Sequence, residues 1–173
     1  MSTKGNINEN PAARSNTAFR FAQRADCALI LSFIRDLAEF EHMENEVVAT
    51  EEMLALWLFE KCSADVLFAI ADGKEVGFAL FFTNFSTFLG RAGLYLEDLY
   101  VLPEYRGRGI GTSIMRELAK IAVKRGCGRF EWACLDWNTK SIELYRSYGA
   151  EPMSDWTTYR LSGDMLTGFA NGK

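Results

Sequence analysis

The sequence has little that would suit a membrane or secreted protein. Its longest apolar stretches, residues 54–60 and 77–82, are far shorter than the roughly 20 residues that span a bilayer. The polar N-terminus lacks the apolar segment of a secretory signal. The four cysteines form no C-x-x-C pair and follow no recurring spacing, which favours unpaired thiols in a reducing compartment. We therefore expect a cytoplasmic protein with no membrane partner.

The chain also lacks the residues that several kinds of site require. His42 is the single histidine, so any zinc site or Ser-His-Asp arrangement would depend on it, and no G-x-S-x-G segment accompanies it. The 19 Lys and Arg against 23 Asp and Glu give a formal net charge of −4. An acidic surface repels phosphate backbones and attracts cations. These features predict no metal, no nucleic-acid partner and a preference for cationic substrates.

The residues that are present indicate one globular domain. The chain has 173 residues, of which 49% are hydrophobic and 24% charged, and this balance is ordinary for a soluble domain. Residues 1–17 are polar and are expected to form a flexible tail, and residues 18–173 a single domain. The predicted strands are residues 19–22, 66–71, 76–85, 93–101, 129–135 and 156–161. The predicted helices are residues 26–41, a second beginning after Thr50, a third from Ile110 to Gly126, and residues 139–148. This order predicts a mixed α/β (α+β) domain built on one sheet.

A glycine-rich segment between the strand 93–101 and the third helix carries the clearest chemistry. It reads Arg106-Gly-Arg-Gly-Ile-Gly111. Such a loop exposes backbone N–H groups at the positive end of a helix, which makes an anion site. No Lys precedes Thr112, and the spacing is G-x-G-x-G, so neither a mononucleotide P-loop nor a dinucleotide fingerprint fits. A diphosphate is the natural ligand, and a plain tight turn is the alternative.

The same segment matches the R/Q-x-x-G-x-G/A pyrophosphate loop of the GNAT acyl-CoA N-acyltransferases, which the chain resembles from about Phe19 to Leu161. Tyr95-Leu-Glu-Asp98 and Leu135-Asp-Trp-Asn138 are more specific, and they resemble the spermidine/spermine acetyltransferase branch. Within that branch the sequence is most similar to the thialysine-acetylating relatives. The resemblance implies a central mixed sheet flanked by helices, one splayed strand pair, acetyl-CoA as cosubstrate and a homodimer. The positions implied to bind the cofactor are Leu99, Tyr100, Val101, Arg106, Gly107, Arg108, Gly109, Ile110, Gly111, Thr112, Asn138, Ser141 and Tyr145.

The resemblance also implies roles in acetyl transfer to an amine. An alkyl ammonium with a pKa near about 10.4 is protonated at neutral pH and cannot attack until it loses a proton. Glu97 matches the general base of the family, acting directly or through water, and Tyr145 matches the general acid that protonates the leaving sulfur. The acceptor positions implied are Phe40, Glu41, Ser86, Thr87 and Glu97. Without the resemblance, Glu97 would be interpreted as a surface carboxylate and Tyr145 as a packing aromatic.

The expected function is N-acetyl transfer from acetyl-CoA to a small primary amine, either thialysine- or lysine-like or a short diamine. Direct attack in a ternary complex is expected because no cysteine lies in a recognised nucleophile position. The alternatives are acetylation of polyamines such as spermidine and spermine, acetylation of proteins or peptides, and a non-catalytic sensor that binds acyl-CoA.

Overall fold

The computed structural model of the protein describes residues 17–173. The expected tail, residues 1–17, lies outside the described residues except for Thr17. The chain divides into two units, one ending at Ala133 and the other running from Cys134 to Lys173. None of the helices in residues 17–173 is long and apolar enough to cross a bilayer. The expectation of a single domain over residues 18–173 stays a prediction.

The first unit is built on one five-stranded sheet. Its elements are β1 (Ala18–Phe21), α1 (Cys27–Glu41), α2 (Glu51–Leu54), β2 (Asp65–Ala71), β3 (Lys74–Ser86), β4 (Arg91–Val101), α3 (Ile110–Lys124) and β5 (Phe130–Trp132). The strands lie in the order β1-β2-β3-β4-β5, and every neighbouring pair is antiparallel except β4 and β5, which are parallel. A parallel pair needs a crossover connection, and α3 supplies it. The predicted mixed α/β fold with helices flanking one sheet is confirmed.

Helices α1 and α3 cover opposite faces of this sheet. The apolar residues of α1 recur at helical spacing, and Phe33 stacks on Phe78 of β3 with ring centroids 5.2 Å apart. Gly77 points to the other face because side chains alternate along a strand. A Cβ added there would lie 3.3 Å from Ile114 of α3. Helix α1 ends at Glu41, where the first predicted helix also ends, and the following residue His42 has a left-handed φ of 61°.

The helix predicted after Thr50 begins as expected and then changes character. The Thr50 hydroxyl accepts a hydrogen bond from the Met53 backbone N–H at 3.3 Å, so it caps the helix. Only Glu51–Leu54 is α-helical, and Ala55–Glu60 continues as a π-helical segment.

Strand β4 departs from regular pairing at the point where it positions the site. Leu80 of β3 pairs with Asp98, and Phe81 pairs with Leu96, so Glu97 is the extra residue of a β-bulge. Pairing with β5 ends at Leu96, opposite Trp132. From Glu97 onward, among the described residues of this unit, β4 therefore pairs on one edge only. The splayed strand pair of the prediction corresponds to β4 and β5.

The second unit contains α4 (Thr139–Ser147) and α5 (Gly163–Ala170). The predicted strand 156–161 is wrong, because residues 155–162 form no strand or helix. Its β-prone residues are exposed, and β propensity produces a strand only where a neighbouring backbone completes the ladder. Helix α5 was not predicted, although Met165, Leu166 and Phe169 follow Ser162 at helical spacing. The predicted strand 129–135 is limited to Phe130–Trp132.

Candidate active site

Three carboxylates form an acidic cluster where α1 ends and β4 bulges. Glu41 is the last residue of α1, Glu97 is the bulge residue, and Asp98 follows it. Burial and the negative charges of Glu97 and Glu41 raise the pKa of Asp98 to about 6. Burial also raises the pKa of Glu41. Negative charges this close together repel one another, and a bound cation relieves that repulsion. The acidic cluster therefore suits an ammonium group.

The sequence predicted Glu41 and Glu97 at this place and missed Asp98. Regular alternation along a strand sends neighbouring residues to opposite faces, so a regular strand would not bring both Glu97 and Asp98 to one site. The bulge suspends that alternation. Its position depends on pairing with β3, which no local pattern reports. The only available signal was the acidic pair itself.

An aromatic wall joins the end of α1 to the start of the glycine loop. The guanidinium of Arg106 lies 4.8 Å from the ring centroid of Phe40 and 5.0 Å from that of Tyr100. Its Nε donates a hydrogen bond to the Val101 carbonyl at 2.9 Å. The two rings meet edge to face at 6.4 Å. The Arg106 side chain therefore belongs to the wall, while Arg108 is 56% exposed, lies 4.0 Å from the Asp72 carboxylate and stacks on the ring of Tyr105.

The glycine loop has the geometry of an anion cradle. Gly107 and Gly109 have φ values of 76° and 77°, which only glycine adopts without strain. Gly109 precedes α3 and offers no side-chain cap to its first amides. A Cβ added at Gly107, Gly109 or Gly111 would meet no atom within 4 Å. The backbone of this loop, continued by Ile110 and Thr112 in the first turn of α3, is open to an approaching phosphate.

The end of β4 offers a second backbone surface. Leu99, Tyr100 and Val101 pair with Ala79, Phe78 and Gly77 of β3 along one edge. Among the described residues of this unit, no strand pairs with the other edge beyond Leu96. Main-chain groups on such an edge can bind an extended chain as an added strand would.

Helix α4 brings three predicted cofactor residues to one face. The Asn138 side-chain oxygen accepts a hydrogen bond from the Ser141 backbone N–H at 3.3 Å and so caps the helix. Ser141 and Tyr145 are four residues apart and share a face. Burial raises the pKa of Tyr145 to about 12, and interaction with Cys134 adds to the rise, whereas the Ser141 hydrogen bond opposes it. The Tyr145 hydroxyl therefore keeps its proton at neutral pH.

Ser86 and Thr87, two of the predicted acceptor residues, lie far from the acidic cluster, measured along strand β3. Ser86 is the last residue of β3 and only 7% exposed. Its hydroxyl accepts a hydrogen bond from the Leu89 backbone N–H at 3.3 Å, so it fixes the turn into β4. Thr87 follows it. Ser86 is six residues beyond Leu80, the partner of Asp98, or about 20 Å along the strand.

Comparisons with known proteins show which family and fold the chain is similar to. The model of the acetyltransferase (GNAT) family matches residues 31–150. The thialysine N-epsilon-acetyltransferase of Mus musculus is 37% identical over 164 residues, covering 88% of this chain and 96% of the relative. The L-ornithine N5-acetyltransferase of Arabidopsis thaliana is 43% identical over 95 residues, covering 55% of this chain and 42% of the relative. Among solved structures, an integron cassette protein of V. cholerae superposes with a TM-score of 0.74 at 26% identity, covering 91% of this chain and 99% of that one.

Proposed function

The chain belongs to the acetyltransferase (GNAT) family, and we propose that it transfers the acetyl group of acetyl-CoA to the side-chain amine of a small amino-acid-like acceptor. The acidic cluster of Glu41, Glu97 and Asp98 carries this proposal, because it provides both a site for an ammonium and a place for its proton.

The cofactor fits two backbone surfaces of the first unit. The open glycine loop at the start of α3 suits the diphosphate, with Arg108 adding positive charge. The unpaired edge of β4 from Leu99 to Val101 suits the pantetheine arm, and a backbone N–H there would polarise the thioester carbonyl. On α4, Asn138 and Ser141 are the proposed further contacts of the arm.

The chemistry then requires three proton transfers. Glu97 accepts a proton from the acceptor ammonium, directly or through water, while Glu41 and Asp98 stabilise the positive charge before transfer. The neutral amine attacks the thioester carbon, so a C–N bond forms and the C–S bond breaks. Tyr145, protonated at neutral pH, donates its proton to the departing thiolate. The new amide nitrogen loses its second proton to water, and Tyr145 regains a proton from water. No covalent acetyl-enzyme is needed.

The relatives support the class of acceptor. Thialysine and L-ornithine, named for two of them, are amino acids whose side chain ends in a primary amine. Short diamines are proposed as weaker acceptors. A polyamine is the second candidate, because a spermidine/spermine N(1)-acetyltransferase-like protein of Homo sapiens is 30% identical over 162 residues, and an acidic cluster also suits a polycation.

Assembly and location are proposed from the family resemblance. Exposed Phe85, Phe88 and Leu89 at the turn between β3 and β4 are consistent with a homodimer. Sedimentation equilibrium measures the subunit number directly, and a monomer at micromolar concentration would contradict the dimer. We also propose a cytoplasmic location, because the four cysteines are all free. Fractionation of cells tests this location.

Release of free CoA thiol tests the function. The wild-type chain should release CoA with thialysine and lysine, less with diamines, and least with spermidine. Tyr145→Phe should lower kcat by about 10²–10⁴-fold, the usual loss for a general acid. Tyr148→Phe is the matched control, since its ring lies 6.4 Å from that of Tyr145, and it should stay near wild type. Absence of CoA release with every amine contradicts acetyl transfer, and a fully active Tyr145→Phe variant contradicts the acid.

A further inference from the structure

A polar cluster of mixed charge is formed by one residue of β3, one of β5 and the residue just before β5, which flank β4 on both sides. Arg129 precedes β5, and its Nε forms an ion pair with the Glu131 carboxylate at 2.7 Å. The Asn84 side-chain amide donates a hydrogen bond to the same carboxylate oxygen at 3.0 Å. Arg129 also donates through Nη2 to the Phe85 carbonyl at 3.4 Å. We call Asn84, Arg129 and Glu131 the β5 polar cluster.

The β5 polar cluster shares a sheet face with the acidic cluster. Paired residues on neighbouring strands project from the same face, and residues two apart along a strand do so too. Asn84 pairs with Gly93 and lies four residues from Leu80. Leu80 pairs with Asp98, so Asn84 and Asp98 lie on one face. That face is the one covered by α1, since Phe78 on it stacks on Phe33.

Gly93 makes the β5 polar cluster possible. A Cβ at this position would overlap the Asn84 side-chain oxygen and lie 2.9 Å from Cγ of Arg129. The Arg129 side chain therefore lies across β4 where a larger residue would stand. Gly93 lies within strand β4, where glycine normally weakens a sheet. The strand itself therefore gives no reason for a glycine at this position.

The β5 polar cluster keeps unused hydrogen-bonding capacity of both signs. The Arg129 side chain is 35% exposed, and its Nη2 donates a hydrogen bond to the Phe85 carbonyl. The side-chain oxygen of Asn84 and the Nε of Arg129 are both buried without a hydrogen-bond partner among residues 17–173, and Nε has only its ion pair with Glu131. Guanidinium binds a carboxylate in a bidentate manner, and the oxygens of Glu131 and Asn84 suit an ammonium. Together they complement the α-carboxylate and α-ammonium of a free amino acid.

The spacing fits a lysine-like molecule. The Arg129 side chain lies at Gly93, whose partner Asn84 is four residues from Leu80, the partner of Asp98, or about 13 Å along the strand. Six bonds separate the side-chain nitrogen of lysine from its carboxyl carbon, which gives about 7 Å in an extended chain. A polar contact of about 3 Å at each end brings the span to about 13 Å, so one acceptor can contact both clusters at once.

We propose that Arg129 binds the α-carboxylate of an amino-acid acceptor whose side-chain amine lies at the acidic cluster, and that Glu131 and Asn84 hold the guanidinium in place and receive the α-ammonium. This proposal rests on the proposed acetyl transfer. It makes Arg129 the residue that selects amino acids over diamines and polyamines, which have no carboxylate to offer.

A matched pair of acceptors tests the proposal. L-Lysine and 1,5-diaminopentane differ only by the carboxylate. Arg129→Gln should lower kcat/KM for lysine by about 10- to 100-fold, mainly through KM, as expected for loss of a charge-assisted contact. Its kcat/KM for diaminopentane should stay within about threefold of wild type. Arg116→Gln is the control, since it makes the same charge change on the exposed side of α3 and should alter neither value.

The outcomes separate three cases. Equal loss with both acceptors, or an unchanged value for lysine, overturns the role of Arg129. A wild-type chain that uses diaminopentane as well as lysine also overturns it and leaves acetyl transfer standing, whereas release of CoA with neither amine contradicts acetyl transfer itself. If Arg129→Gln does not fold, Arg129→Lys keeps the charge without the planar fork, and it must still lose more activity with lysine than with diaminopentane.

Discussion

Asp98 is the residue that the geometry adds to the chemistry suggested by the sequence. Its carboxyl is shielded from water and lies near Glu97 and Glu41, which raises its pKa to about 6. Below that pH it is neutral and no longer attracts an ammonium, and above it the charge is restored. The acceptor amine, with a pKa near about 10, does not titrate in this range.

The pH profile of kcat/KM therefore reports on Asp98. We expect kcat/KM of the wild type to rise with pH through about 6 and then level off, because this parameter follows groups of the free enzyme. Asp98→Asn should lack the rise near that pH and stay at least about tenfold below the wild-type plateau, since a charged contact is lost. Asp155→Asn, an exposed change in the second unit, should reproduce the wild-type profile.

The same pH profile tests the influence of Glu41 on the pKa of Asp98. Glu41→Gln removes one negative charge, which makes Asp98 easier to ionise, so the rise should move to lower pH. The movement should be modest because burial is the largest cause of the raised pKa. An Asp98→Asn variant that keeps the rise near pH 6 would assign it to a different group.

At the scale of elements, β4 organises the site. Its bulge at Glu97 places two adjacent carboxylates beside the end of α1, and its loss of β5 beyond Leu96 exposes backbone groups just before the glycine loop. Bulges re-aim side chains and end pairing. The proposed acceptor carboxylates and the proposed cofactor edge are thus consecutive residues of one strand.

The junction of the glycine loop with α3 gives a direct test of cofactor binding. Gly111 lies inside α3 with no positive φ, and its added Cβ would contact no protein atom within 4 Å. Gly111→Val should therefore fold normally, because valine is no poorer a helix former than glycine. Its side chain would occupy the space of the phosphate. Calorimetry should show acetyl-CoA binding at least about tenfold weaker than in wild type.

The control for this change lies on the same helix. Ala119→Val places the same side chain at an exposed position of α3, and its affinity for acetyl-CoA should equal that of wild type. A folded Gly111→Val protein with unchanged affinity would show that the loop is only a tight turn.

At the scale of the whole molecule, the strands and helices predicted most accurately are those that a local sequence pattern defines. The strands β1 to β4 and the helices α1 and α3 lie close to their predicted bounds, because apolar periodicity and turn residues define each of them. The segment 156–161 is rich in β-prone residues but has no partner strand, and local pattern cannot show that. The bulge at Glu97 was equally hidden, since it exists only relative to β3.

The β5 polar cluster shows the same limit of prediction from local sequence pattern. Asn84 and Glu131 are 47 residues apart in sequence, and only the order of β3, β4 and β5 brings them together. The motifs, by contrast, give Glu41, Glu97 and the glycine loop as site residues from short local segments, and their roles in the site stay predictions.

Cofactor binding should stabilise the folded chain as a whole. The glycine loop and the free edge of β4 exist only when the sheet is formed, so acetyl-CoA binds the native state and not the unfolded one. At a concentration of about 100 times its Kd, the ligand should add about 2.7 kcal/mol to the free energy of unfolding. For a chain of this length that corresponds to a rise in Tm of about 5–10 °C.

Thermal unfolding with two ligands measures this effect. Acetyl-CoA should raise Tm of the wild type, and inorganic pyrophosphate at the same concentration should raise it less, because it engages the loop without the β4 edge. Gly111→Val should show a smaller rise with acetyl-CoA at equal concentration, while Ala119→Val should match wild type. If acetyl-CoA leaves Tm of the wild type unchanged at millimolar concentration, the chain does not bind it, and the proposed enzymatic function fails together with the assignment of the loop.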